Sequence, residues 1–182
     1  MGMDMLCSAV LNRSMALSSG FRAMILSRNT ICAGALTRLQ LDSALRFSAA
    51  YLVEDRDELI KAVLQGEQVR RLKDRDGKLM TDFYLAQRMG EHFEWVPNFY
   101  DILCDFIHLS DRHFRHSFGL KGDEPNVVRW KIGAADFEEL PDSIYLEGID
   151  SFVAVSEIVL SLVKTWVEEK EAFPFEASDG AR

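Results

Sequence analysis

Residues 31–53, ICAGALTRLQLDSALRFSAAYLV, form a run that is apolar nearly all round at helical spacing. A helix without a polar face must be covered on every side, so this stretch predicts a central element with other helices packed about it. Asn29 or Thr30 stands where its N-cap belongs. Three charges interrupt the run: Arg38, Asp42 and Arg46, at i, i+4 and i+8, on the side that carries Ile31, Ala35, Leu45 and Ala49. Charges on an apolar face either form a buried ion-pair brace, with the arginines snorkelling, or line a cavity. In a cavity, paired arginines would suit a carboxylate or phosphate, as in a sensor of a small anionic ligand.

The elements to cover this helix are legible on both sides. Met5–Ile25 carries Leu6, Val10, Leu11, Leu17, Phe21 and Ile25 at roughly helical spacing, weakened by Ser18-Ser19-Gly20. Asp57–Gln65 is a short helix stopped by Gly66, and Thr81 or Asp82 caps another to about His92, with Phe83, Leu85 and Met89 inward. Tyr145–Lys170 shows one stripe of Ile149, Phe152, Val153, Val159, Leu160, Val163, Trp166 and Val167, broken by Ser156. Gly119 and Gly122–Pro125 mark a loop before the alternating segment Val127–Ile132. Residues 136–142 read as an exposed acidic stretch, and 171–182 as a frayed tail. The expected fold is mainly α: a single-domain bundle of five or six helices over residues 1–170, with a minor β-hairpin or short strand near 127–132.

At 182 residues, 48% hydrophobic and 27% charged, the chain can bury one sizeable core. A net charge of −8 argues against a duplex-DNA footprint. Cys7, Cys32 and Cys104 are odd in number and lack metal-type spacing, which suits reduced, buried thiols in a cytoplasmic protein. No apolar run reaches the length of a membrane span. Between Asp4 and Asp42 there is no acidic residue, while Arg13, Arg22, Arg28 and Arg38 and several serines are present. That composition resembles a transit peptide, but the apolar period running on into residues 31–53 favours a folded helix pair.

Chemistry-bearing residues concentrate in Asn98–Phe118, NFYDILCDFIHLSDRHFRHSF, with Pro97 suited to its helical start. As one amphipathic helix it would set Asp101, Asp105, His108, Arg112 and His116 within about 80° of one another. Ile102, Leu103, Phe106 and Phe114 would lie opposite. A carboxylate beside an imidazole raises its pKa for acid–base work, and a nearby guanidinium stabilises charge building on a phosphodiester. The same face, solvated and stitched by i, i+4 pairs, needs no function.

Two smaller pairs lie in the same stretch. Ser110 and His113 could form a nucleophilic pair, though no Gly-rich elbow surrounds the serine and a hydrogen-bonded core histidine fits as well. Cys104 is one turn from His108 and suits a small buried thiol. Metal chemistry finds thin support: Asp105 and His108 would need Glu91-His92 as a second pair, and Asp74-x-Asp76-Gly77 lacks the later ligands of a calcium loop. No metal and no cofactor is expected.

Arg13–Phe47 (RSMALSSGFRAMILSRNTICAGALTRLQLDSALRF) and Phe99–His113 (FYDILCDFIHLSDRH) are similar to helices of small all-helical bacterial proteins. Those proteins in turn resemble the HEPN superfamily, helical bundles of toxin–antitoxin and abortive-infection systems. The resemblance implies a dimeric bundle and, in active members, a metal-independent ribonuclease whose Arg precedes a His by four to six intervening residues. Arg112–His116 and Arg88–His92 each have three. On this reading the RNA-cleaving residues would be His116 or His108 as acid–base group, Arg112 stabilising charge and Asp105 orienting a histidine. Arg38, Asp42 and Arg46 would brace or floor the site. The other expectation is a non-catalytic interaction module that homodimerises or binds a partner protein through its last helix or through exposed Trp95 and Trp130.

Overall fold

A computed structural model of the chain describes residues 1–121, 124–137 and 140–172, and the backbone alone at 112, 115, 116, 120, 121 and 124–127. The fold is mainly α, with one small two-stranded antiparallel sheet. Helix α1 spans Gly2–Leu26, α2 Thr30–Ser48, α3 Arg56–Leu64, α4 Asp82–Gly90, α5 Val96–Ile107, α6 Asp111–Ser117 and α7 Asp142–Ala172. Strands β1 (Phe118–Lys121) and β2 (Glu124–Trp130) pair with Phe118 opposite Trp130 and Gly119 opposite Arg129.

Helix α2 is the centre, as its composition requires. It packs on α1, α4, α5 and α7, and Leu41, Ala44, Leu45 and Phe47 are completely buried. Asn29 caps it, accepting from the Cys32 N–H at 3.0 Å. The expected continuation to Val53 tightens into a 3-10 turn at Ala49–Tyr51. A smaller apolar group joins α1 to α7, where Phe21 stacks on Phe152 at 4.2 Å between ring centroids. Buried Gln40 donates to Ser14 Oγ at 3.1 Å and to Ser156 Oγ at 3.2 Å, so the serine that breaks the α7 stripe faces inward.

Several expected faces are rotated. Helix α7 buries Tyr145, Phe152, Val155, Ile158 and Val159, while Val153, Leu160 and Val167 are each about half exposed. Apolar residues on nearly every side of that helix left its inner face underdetermined by pattern. Phe83 is 58% exposed, although Leu85 and Met89 are buried as expected. Cys7 is buried but Cys32 is exposed; all three thiols are free.

Asp136 is also buried, contrary to the expected exposed acidic stretch. Its carboxylate accepts from the Thr30 N–H, the Thr30 hydroxyl and the Tyr145 hydroxyl, each at 2.9 Å. These bonds compensate its desolvation and tie the segment before α7 to the α1–α2 turn. Among the described residues no helix is long and apolar enough to cross a membrane. Most of the expected tail, residues 173–182, lies outside the described residues.

Candidate functional site

The expected single helix over 98–118 is two helices. Helix α5 stops at Ile107, because His108 takes an extended backbone (φ −100°, ψ 148°) and α6 restarts after Ser110. Ser and Asp at 110–111 suit a helix start: the serine stands at the N-cap and the aspartate complements the dipole. Ser110 Oγ donates to the Asp105 carbonyl at 2.9 Å, and the Ser110 N–H donates to His113 Nδ1 at 3.2 Å. His113 is therefore a cap for α6. It is half-buried rather than a core histidine, and its Nδ1 also lies 3.4 Å from Ser110 Oγ.

The break takes Asp101, Asp105 and His108 off the helical face that carries Arg112 and His116. Asp105 is half-buried and His108 exposed at the joint, and the two side chains form no hydrogen bond or ion pair with each other. The side chains of Arg112 and His116 lie outside the described residues. Among the described residues, no group of three or more His, Cys, Asp or Glu could hold a metal ion. Asp74 closes a turn, accepting from the Asp76 and Lys78 N–H groups and from the Tyr84 hydroxyl. Burial pushes its carboxyl up, but these donors outweigh that and hold its pKa below the ordinary carboxylate value.

Arg38 and Arg46 converge on a residue that the sequence marked only as a cap. Asp82, the first residue of α4, pairs with Arg38 Nη2 at 3.5 Å and hydrogen-bonds Arg46 Nη2, while Arg46 Nε reaches Asp42 at 3.3 Å. Arg38 lies over the Tyr100 ring, 4.4 Å from its centroid. Burial works against the Arg38 charge, yet Cys104 and Tyr100 outweigh it and hold its pKa above the ordinary value. Two guanidinium groups face two carboxylates, so the cluster carries no surplus positive charge for an anion. It joins α2 to α4 and α5 as a brace. No spacing signal links positions 38 and 82.

Two surface features stand apart from this brace. Phe114, Phe118 and Trp130 form a continuous row, with centroids 6.3 Å and 4.8 Å apart, and are 56%, 37% and 74% exposed. Trp95 is 40% exposed and edge-on to Phe99.

The second feature is a cleft of about 440 Å³ between the 3-10 turn, α4 and α7. Arg88 and His92 line it, with Leu52, Met89, Phe93 and Leu162 among its apolar walls. Arg88 Nη1 pairs with Glu91 at 2.9 Å, and its Nε is buried without a hydrogen-bond partner among the described residues. Compared with family models, with curated proteins and with solved structures, the chain has no match.

Proposed function

We propose that this chain is a HEPN-like helical bundle working as a non-catalytic interaction module in the cytoplasm, and that it self-associates through the α6–hairpin surface. The observation that supports this reading is the exposed row Phe114–Phe118–Trp130. Three adjoining rings held in water lose apolar burial that a partner surface would restore, and aromatic anchors dominate interface energetics. The neutral Arg38–Asp42–Arg46–Asp82 cluster fits a structural support better than a reaction centre or an anion site.

Analytical ultracentrifugation at micromolar concentration tests it: wild type sediments as a dimer, and Phe114→Ser/Trp130→Ser as a folded monomer. A monomeric wild type overturns self-association and leaves binding of a partner protein as the form of the module.

A second reading, a metal-independent endoribonuclease in bacterial stress or phage defence, is supported by the backbone of α6. It sets Arg112 and His116 one helical turn apart, with exposed His108 at the joint before them. Asp105, at the end of α5, would then act on His108. Cleavage of a mixed RNA pool in EDTA by wild type, lost in folded Arg112→Ala/His116→Ala, decides for this reading. Absence of cleavage by folded wild type decides against it.

A further inference from the structure

The cleft between the 3-10 turn, α4 and α7 has the build of a small-molecule site, and we propose that it takes a compact aromatic carboxylate. Its volume of about 440 Å³ lies within the range of ligand pockets and accommodates a fused two-ring body. Leu52, Met89, Phe93 and Leu162 offer that body an apolar seat. The Tyr51 hydroxyl donates to the Leu162 carbonyl at 2.9 Å, fastening the 3-10 turn to α7 behind it.

Arg88 supplies the charge. Its Nη1 is paired with Glu91 and its Nε is covered and without a hydrogen-bond partner among the described residues, so a carboxylate would engage the guanidinium as the Glu91 pair opens. The Nε side of a guanidinium is one edge of the planar fork that a carboxylate bridges with two parallel hydrogen bonds. The Glu91 pair is a surface i, i+3 contact and offers little resistance to exchange. His92, which is exposed, lines the same cleft.

The hydroxyls discriminate as well. Ser48 and Thr165 also line the cleft; Ser48 Oγ donates to the Leu45 carbonyl and Thr165 Oγ1 to the Ser161 carbonyl, which leaves each oxygen free to accept. A ring bearing an N–H or O–H opposite its carboxylate would satisfy them. Unlike the half-buried Arg38–Arg46 cluster, this cleft sets its arginine beside apolar surface, with its ion partner, Glu91, half exposed to solvent.

The test is titration of the whole protein, methyl-labelled at methionine, with 2-naphthoate and with its neutral counterpart 2-acetylnaphthalene, followed by nuclear magnetic resonance. The expected result is saturable displacement of the Met89 methyl signal by 2-naphthoate, with affinity about tenfold above the neutral ketone. Arg88→Gln should erase that preference while still admitting both rings. Thr165→Trp, which fills the cleft from the exposed face of α7, should block both. No displacement at Met89 in wild type, or an unchanged preference in Arg88→Gln, overturns the proposal.

Discussion

Gly34 and Phe106 occupy one volume. A Cβ built on Gly34 would stand 2.3 Å from Phe106 Cδ1 and 2.5 Å from Cγ, well inside any tolerated contact. Glycine in mid-helix costs about 1 kcal/mol against alanine, so its place in α2 needs a packing reason, and the ring of α5 provides it. Gly34→Ala should therefore destabilise the fold by about 1–2 kcal/mol in urea unfolding despite the better helix propensity. Combining it with Phe106→Leu should restore part of that loss, because the shorter side chain can withdraw.

Asp82 should matter more than Asp42, although the sequence placed only Asp42 in the charge ladder. Asp82 meets both arginines, whereas Asp42 meets Arg46 alone. Asp82→Asn leaves Arg38 without its carboxylate and Arg46 with Asp42 alone, and should cost about 1–3 kcal/mol; Asp42→Asn should cost less than about 1 kcal/mol. Urea midpoints of the two variants, measured side by side, give the order directly. Equal midpoints would mean that the brace has no centre.

What could be read in the sequence follows from which forces act locally. The central, all-apolar α2, the Asn29 and Thr81 caps and the stop at Gly66 depend on residues within a turn of one another, and they appear where the pattern puts them. The break at His108–Ser110 is local too, but its signal is weak: a serine followed by an aspartate inside an otherwise continuous amphipathic period. The amphipathic period masks the cap, so five residues fall on one apparent face that the break divides. Asp82 and the Arg88 cleft were harder still, since each is completed by chain many residues away. Strand β1 was hidden in a stretch whose glycines read as loop. Tertiary pairing decides such elements, and composition carries no trace of it.

All four tyrosines hold their protons beyond the ordinary value. Burial is the first cause for Tyr51, Tyr100 and Tyr145, with Tyr51 pushed up to about 12; for Tyr84 it is the hydrogen bond to Asp74. In the unfolded chain tyrosine ionises near pH 10, so above that pH the unfolded state has released protons that the native state still binds. The stabilisation is complete below about pH 10 and declines as pH rises toward the native values. Native tyrosinate absorbance should thus stay low through pH 10 and then rise together with loss of helical circular dichroism. An ordinary, non-cooperative titration centred near pH 10 would contradict these environments.

The joint between α5 and α6 makes the last prediction. Ser110 holds it with its hydroxyl on the Asp105 carbonyl and its N–H on His113 Nδ1. Ser110→Ala removes the first bond and keeps the second, so the helix start should weaken by about 1 kcal/mol without dissolving. Helix α6 is only 7 residues long and makes few contacts outside α5 and β1. Amide hydrogen exchange in residues 113–117 should therefore quicken about fivefold while exchange in α2 is unchanged. His113→Ala removes the other bond and should act on the same amides, and the two substitutions together should exceed either alone. Faster exchange spread evenly over α2 and α6 would show instead that the joint is part of the global cooperative unit, and that the Arg112–His116 turn cannot reorient without unfolding the bundle.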